Sequence, residues 1–111
     1  MIRCDKLIES AVGVELDNAI AAHGEHYNSS HEGYAVLMEE VQEAEEELQR
    51  VQVYRDALWD MIRSPFSADE RARNMTEALG MAEIAAKHLA AEAAQIAAVC
   101  RKFKATVEHN G

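Results

Sequence analysis

Apolar residues recur at alternating intervals of three and four along most of this chain, the period of helices that bury one face. Residues 2 to about 22 form a first such segment. Leu7, Ala11, Val14, Leu16, Ala19 and Ile20 give it an apolar side, with Asp5, Lys6, Glu9 and Asp17 opposite. A polar stretch from Ala22 to Ser30 interrupts the pattern. Within it Gly24 suits a helix C-terminal cap, and Ser29, three residues before Glu32, starts a capping box. The longest seam follows, through Tyr34, Leu37, Val41, Ala44, Leu48, Val51, Leu58 and Ile62, and predicts a helix from about 31 to 63. Ser64-Pro65-Phe66 ends it, because proline lacks a backbone donor and biases its predecessor away from helix. Ser67 with Glu70 opens a third helix near 68. Asn74 with Glu77 repeats that signature and Gly80 is a weak point, so a break there would divide the helix in two. The pattern is firm from Met81 to about Lys104, and Glu108 to Gly111 are expected to fray.

The elements predict an all-α fold of three to four helices in a single domain, residues 1–111, with a long antiparallel hairpin about Pro65. Tyr54 and Trp59, near that turn, are expected in a core or an interface. A seam this long exposes more apolar surface than a monomer easily hides. A homodimer or homotetramer built from four-helix bundles is the expected assembly.

Composition agrees with helix throughout: of 111 residues one is proline, five are glycine and 5% are aromatic. The net charge of −9 argues against nucleic acid or an anionic membrane as partner, and suits a cation site or simple solubility. The most apolar run, Leu89 to Val99, is interrupted by Glu92 and Gln95 and is too short to span a bilayer. Cys4 and Cys100 lie far apart, and the first residues do not read as a secretory leader, so none is expected. Both cysteines are expected to be reduced, packed thiols of a cytoplasmic protein.

Candidate chemistry lies in two acidic features. Six of the nine residues from Glu39 to Glu47 are glutamates, of which Glu45 and Glu46 read as solvated. The second feature is Glu92, set with Gln95 in a helix otherwise apolar on every side. Such a helix is expected to be buried, and a buried carboxylate needs a proton, a cation or a metal. Counted from Pro65 at ~1.5 Å per residue, Glu43 and Glu92 lie at roughly 33 and 40 Å, so the hairpin sets them nearly level. Glu40 with Glu43, and Glu92 with Gln95, are each one turn apart on a common face. Three carboxylates and an amide oxygen make an oxygen-only ligand set for a hard divalent cation, Mg²⁺ first, with Mn²⁺ as the alternative.

Glu39-Glu40-Val41-Gln42-Glu43 matches the EExxE motif of the MazG-like all-α nucleoside triphosphate pyrophosphohydrolases. The string from Ser30-His31-Glu32-Gly33-Tyr34-Ala35-Val36 through Glu43 resembles a small single-domain branch of that superfamily found in bacteria and phages. The family's later ExxD motif would correspond to Glu92-Ala93-Ala94-Gln95, and the resemblance covers about residues 22–104. It implies Mg²⁺-dependent hydrolysis of a (deoxy)nucleoside triphosphate to monophosphate and pyrophosphate. Glu40, Glu43 and Glu92 would stand at metal-ligand positions. Gln95 stands where the family commonly has aspartate, and lends an oxygen without a charge. The interval between the two motifs is also longer than usual. In such a site Glu39 or Glu47 would orient or deprotonate the attacking water, and His31, His88 and Lys87, with Arg101, are candidates for contact with substrate. The alternative is a non-catalytic helical oligomer, a degenerate relative that binds a nucleotide or a protein partner.

Overall fold

The computed structural model describes residues 4–110, which form three helices: α1 (Asp5–His23), α2 (Ser30–Ile62) and α3 (Ala68–Asn110). The expected start of the first helix at residue 2 and the end at Gly111 lie outside the described residues. Both capping boxes form. Glu32 N–H donates to Ser29 Oγ (3.1 Å), and Glu70 N–H to Ser67 Oγ (3.2 Å). Gly24 ends α1 with a positive φ of 87°, its N–H donating to the Ile20 carbonyl at 2.8 Å.

The fourth helix does not form. α3 runs unbroken through Asn74 and Gly80, because one glycine costs about 1 kcal/mol while the turns on either side propagate the helix. Nor does its end fray from Glu108. The last turns are tied down by Thr106, which is fully buried: its hydroxyl donates to the Lys102 carbonyl and accepts from the Tyr27 N–H, both at 2.9 Å. The His109 ring stacks on His26 with centroids 4.4 Å apart.

The chain divides into two compact units, to each of which α2 and α3 both contribute. The first comprises residues up to Glu43 and from Ala91 onward. Its core is Val12, Ala94 and Ala98, with Leu16 and Ala97 packed against them. The buried side of α1 is thus centred on Val12 and Leu16, while Leu7 and Val14, expected on that side, are exposed. α2 begins close against α3: a Cβ at Gly33 would meet the Phe103 ring at 2.9 Å, so only glycine fits there. Two further expectations change in this unit. Leu89 to Val99 is not apolar-buried on all sides, since Ala90, Ala91 and Ala93 face solvent and Glu92 is only half-buried. Both cysteines are exposed thiols rather than packed ones.

The second unit, Ala44–Ala90, holds the turn. Arg71 closes it by donating from Nη2 to the carbonyls of Phe66 (2.9 Å) and Ser64 (3.3 Å). The contact of Glu47 with His88, far from that turn on both arms, requires α2 and α3 to run antiparallel here. Ala78 and Ala85 are its buried apolar residues, and Trp59 is exposed rather than in a core.

Candidate metal centre

The acidic cluster is assembled within the first unit. The Ser29 cap sets where α2 starts, and from there Glu40 and Glu43 fall one turn apart on its inner face. α3 brings Glu92 opposite them. One carboxylate oxygen from each of Glu40, Glu43 and Glu92 lies within 4.8 Å of the others. Ligands about 2.1 Å from a hard octahedral cation stand roughly 3–4 Å apart, so small side-chain rotations close this set around one ion.

The electrostatics say what the cluster lacks. Burial, then the charges of Glu43 and Glu92, a hydrogen bond with Glu92 and the charge of Glu39 push the Glu40 carboxyl up to about 7. In the orientation that its hydrogen bonds require, the Gln95 amide nitrogen donates to Glu40 Oε2 at 2.8 Å and Glu92 Oε2 at 3.1 Å. A shared proton and an amide donor therefore supply the positive charge that the oxygens face. A divalent cation would supply more, and the residues fit one. Gln95, expected to lend its oxygen, here steadies two carboxylates with its nitrogen; turning the amide over presents the oxygen instead.

A cavity of about 770 Å³ opens beside the cluster, with Glu39, Glu40 and Gln95 in its wall. α1 contributes Glu15 and Asn18, and the loop before α2 contributes Tyr27 and Asn28. Its most unusual residue is Lys102, only 2% exposed, with its ammonium 4.4 Å from the centre of the Tyr27 ring. Burial, then the Glu40 and Glu32 carboxylates and Cys100, raise the Tyr27 phenol above its ordinary range, which keeps it a neutral donor.

The other residues singled out in the sequence fall in several places. Glu39 lines the cavity. His31 is exposed in the first turn of α2 and outside the cavity wall. Arg101 pairs with Glu9 of α1. Glu47, Lys87 and His88 belong to the second unit. There Glu47 pairs with Arg50 and lies 3.7 Å from His88 Nδ1, and Lys87 pairs with Glu83 at 3.6 Å. Lys102 and Tyr27 were not legible as site residues. The one signal for Lys102 is its place two turns after Gln95, on the same face of α3.

No known protein family, curated protein or solved structure matches the chain. Among the described residues no helix is long and apolar enough to cross a membrane.

Proposed function

We propose that this chain is a Mg²⁺-dependent nucleotide pyrophosphohydrolase, cleaving a canonical or modified (deoxy)nucleoside triphosphate to monophosphate and pyrophosphate. The observation that carries the reading is the convergence of Glu40, Glu43 and Glu92 from two helices at the edge of a cavity of nucleotide size. Those three carboxylates would hold the cation, with Mn²⁺ as a substitute. A bound divalent ion supplies charge neutralisation at phosphate oxygens and acidifies water. Glu39 makes no ion pair among the described residues and lines the same cavity, which favours it over the engaged Glu47 as acceptor of a proton from the attacking water. The resemblance of Glu39 to Glu43 to EExxE supports the same assignment.

The test is a panel of canonical and modified triphosphates with Mg²⁺, assayed for pyrophosphate. Turnover of at least one, abolished by chelator, is expected. No turnover, together with no effect of Mg²⁺ on thermal unfolding, sinks the reading. Gln95 favours a second reading, a chain that binds nucleotide without hydrolysing it, because the amide leaves the cluster one charge short of four carboxylates. Under it, nucleotide raises the unfolding temperature and no pyrophosphate appears.

The reading includes a homodimer or homotetramer that pairs the hairpins of the second unit into four-helix bundles. Support comes from that unit's small core, Ala78 and Ala85, beside exposed Leu48, Val53, Trp59, Ile62, Leu79 and Ile84. Sedimentation at micromolar concentration is expected to give at least twice the chain mass, and Ile84→Glu to shift the population towards monomer. A strictly monomeric wild-type chain refutes the assembly.

A further inference from the structure

Residues 24–29 join α1 to α2 without helix, and Tyr27 and Asn28 among them form part of the cavity wall. A segment this short has no backbone ladder of its own, so its shape depends on what it is tied to. Local bonds join it to the helices on either side. The Gly24 N–H donates to the Ile20 carbonyl, and Asn28 Nδ2 donates to Glu32 Oε2 at 2.9 Å. Among the described residues, its hydrogen bonds and ring contacts beyond that neighbourhood all go to the last three turns of α3. The His26 ring stacks on His109, and Tyr27 meets Phe103 edge to face with centroids 6.3 Å apart. The Tyr27 N–H donates to Thr106 Oγ1 at 2.9 Å, across 79 residues of sequence. The end of α3 therefore sets the shape of this wall.

Thr106 is the hydrogen-bonding member of that set, and its surroundings fix what its hydroxyl can do. The side chain is completely buried. Its proton is committed to the Lys102 carbonyl one turn back, at 2.9 Å. The oxygen is then left to accept, and the donor it meets is the Tyr27 N–H. A buried amide without an acceptor is costly, so loss of this oxygen releases the loop from α3. Valine keeps nearly the shape of threonine without the oxygen, and serine keeps the oxygen without the methyl. The acidic cluster does not share this dependence. Glu40, Glu43 and Glu92 stand on helices, and Gln95 beside them is roughly 16 Å from Thr106 along the α3 axis.

We propose that Thr106 is a positioning residue for the ligand of the cavity. Through the Tyr27 N–H it holds one wall in its binding shape before the ligand arrives, so ligand affinity depends on Thr106 and cation affinity does not. A wall already in place spares the ligand the entropy of ordering it. That the ligand is a nucleotide rests on the function proposed above.

The experiment measures the two affinities separately on the full chain. Calorimetry uses a panel of non-hydrolysable α,β-methylene nucleoside triphosphates with Mg²⁺, and then Mn²⁺ alone. Thr106→Val is expected to weaken the nucleotide about fivefold or more and to leave Mn²⁺ within about twofold. Thr106→Ser is expected to bind the nucleotide within about twofold of the wild type. Where a triphosphate is turned over, KM should rise in Thr106→Val with kcat little changed. Amide exchange should quicken at residues 24–29 in that variant and not in the helical stretches that carry the cluster. His109→Ala, at an exposed position, loosens the same loop by removing the ring stacked on His26, and decides the matter should Thr106→Val not fold. It should weaken the nucleotide about twofold or more with Mn²⁺ affinity unchanged. The proposal is overturned if folded Thr106→Val binds nucleotide as the wild type does, if nucleotide and Mn²⁺ weaken together, or if Thr106→Ser loses as much as Thr106→Val. Wild-type binding without turnover removes the hydrolytic reading and leaves this one standing. A wild type that binds no nucleotide removes both.

Discussion

Glu43→Ala is expected to abolish measurable Mn²⁺ or Mg²⁺ binding and, with it, pyrophosphate release. Three carboxylates make the cluster, and Glu43 stands one turn from Glu40 with its oxygen inside the 4.8 Å set. Losing a group that merely supports a ligand costs ~10–100-fold in metal affinity, so losing a ligand should cost more. Turnover should fall in parallel, since the cation neutralises charge that grows on the phosphates. The fold should survive. Glu43 is the largest of the charges that oppose ionisation of Glu40, so its removal relieves repulsion in the metal-free protein and should hold or raise the unfolding temperature. Glu45→Ala, two residues on, turned to another side of the helix and exposed, is the control and should change neither property. Calorimetric titration with Mn²⁺ decides: a Glu43→Ala chain that binds the ion as tightly as the wild type removes the metal centre.

The second large effect is on pH. The Glu40 carboxyl sits at about 7 in the folded protein against an ordinary value of 4.5, so the folded state holds a proton that the unfolded chain releases. The stability this contributes is fully present below about 4.5, declines as pH rises towards 7, and is lost above the folded value. Metal-free protein should therefore lose stability between those limits, and Glu40→Gln, which keeps a donor without a charge, should flatten the decline. Mg²⁺ acts in the opposite sense. It competes with the proton, so its affinity should fall as pH drops below 7 and its stabilising effect should be greatest above. Thermal unfolding across pH 5–8, with and without Mg²⁺, reads both trends. A wild-type profile that is flat without metal would contradict the electrostatics of the cluster.

Much of the architecture follows from short-range rules. Ser29 and Ser67 cap because a hydroxyl can reach an orphan amide three residues on, and Pro65 stops α2 because it has no donor to give. Those rules misjudged Gly80, whose local penalty is small beside the cooperativity of a 43-residue helix. They also misjudged Leu89 to Val99. Periodicity registers that a helix can be covered on every side, but the number of neighbours available in one chain decides whether it is.

By itself the sequence determined an all-helical chain, the hairpin turn and the candidate pairing of Glu40 and Glu43 with Glu92. Each depends on spacing along a helix, and spacing is a one-dimensional property. Only the tertiary structure decided which oxygens meet, which way Gln95 turns, that Glu40 keeps a proton to about pH 7, and that Lys102 is buried. A lysine in a helical pattern reads as surface, because the cost of burying it is invisible until a cavity, a tyrosine ring and the end of another helix close around it.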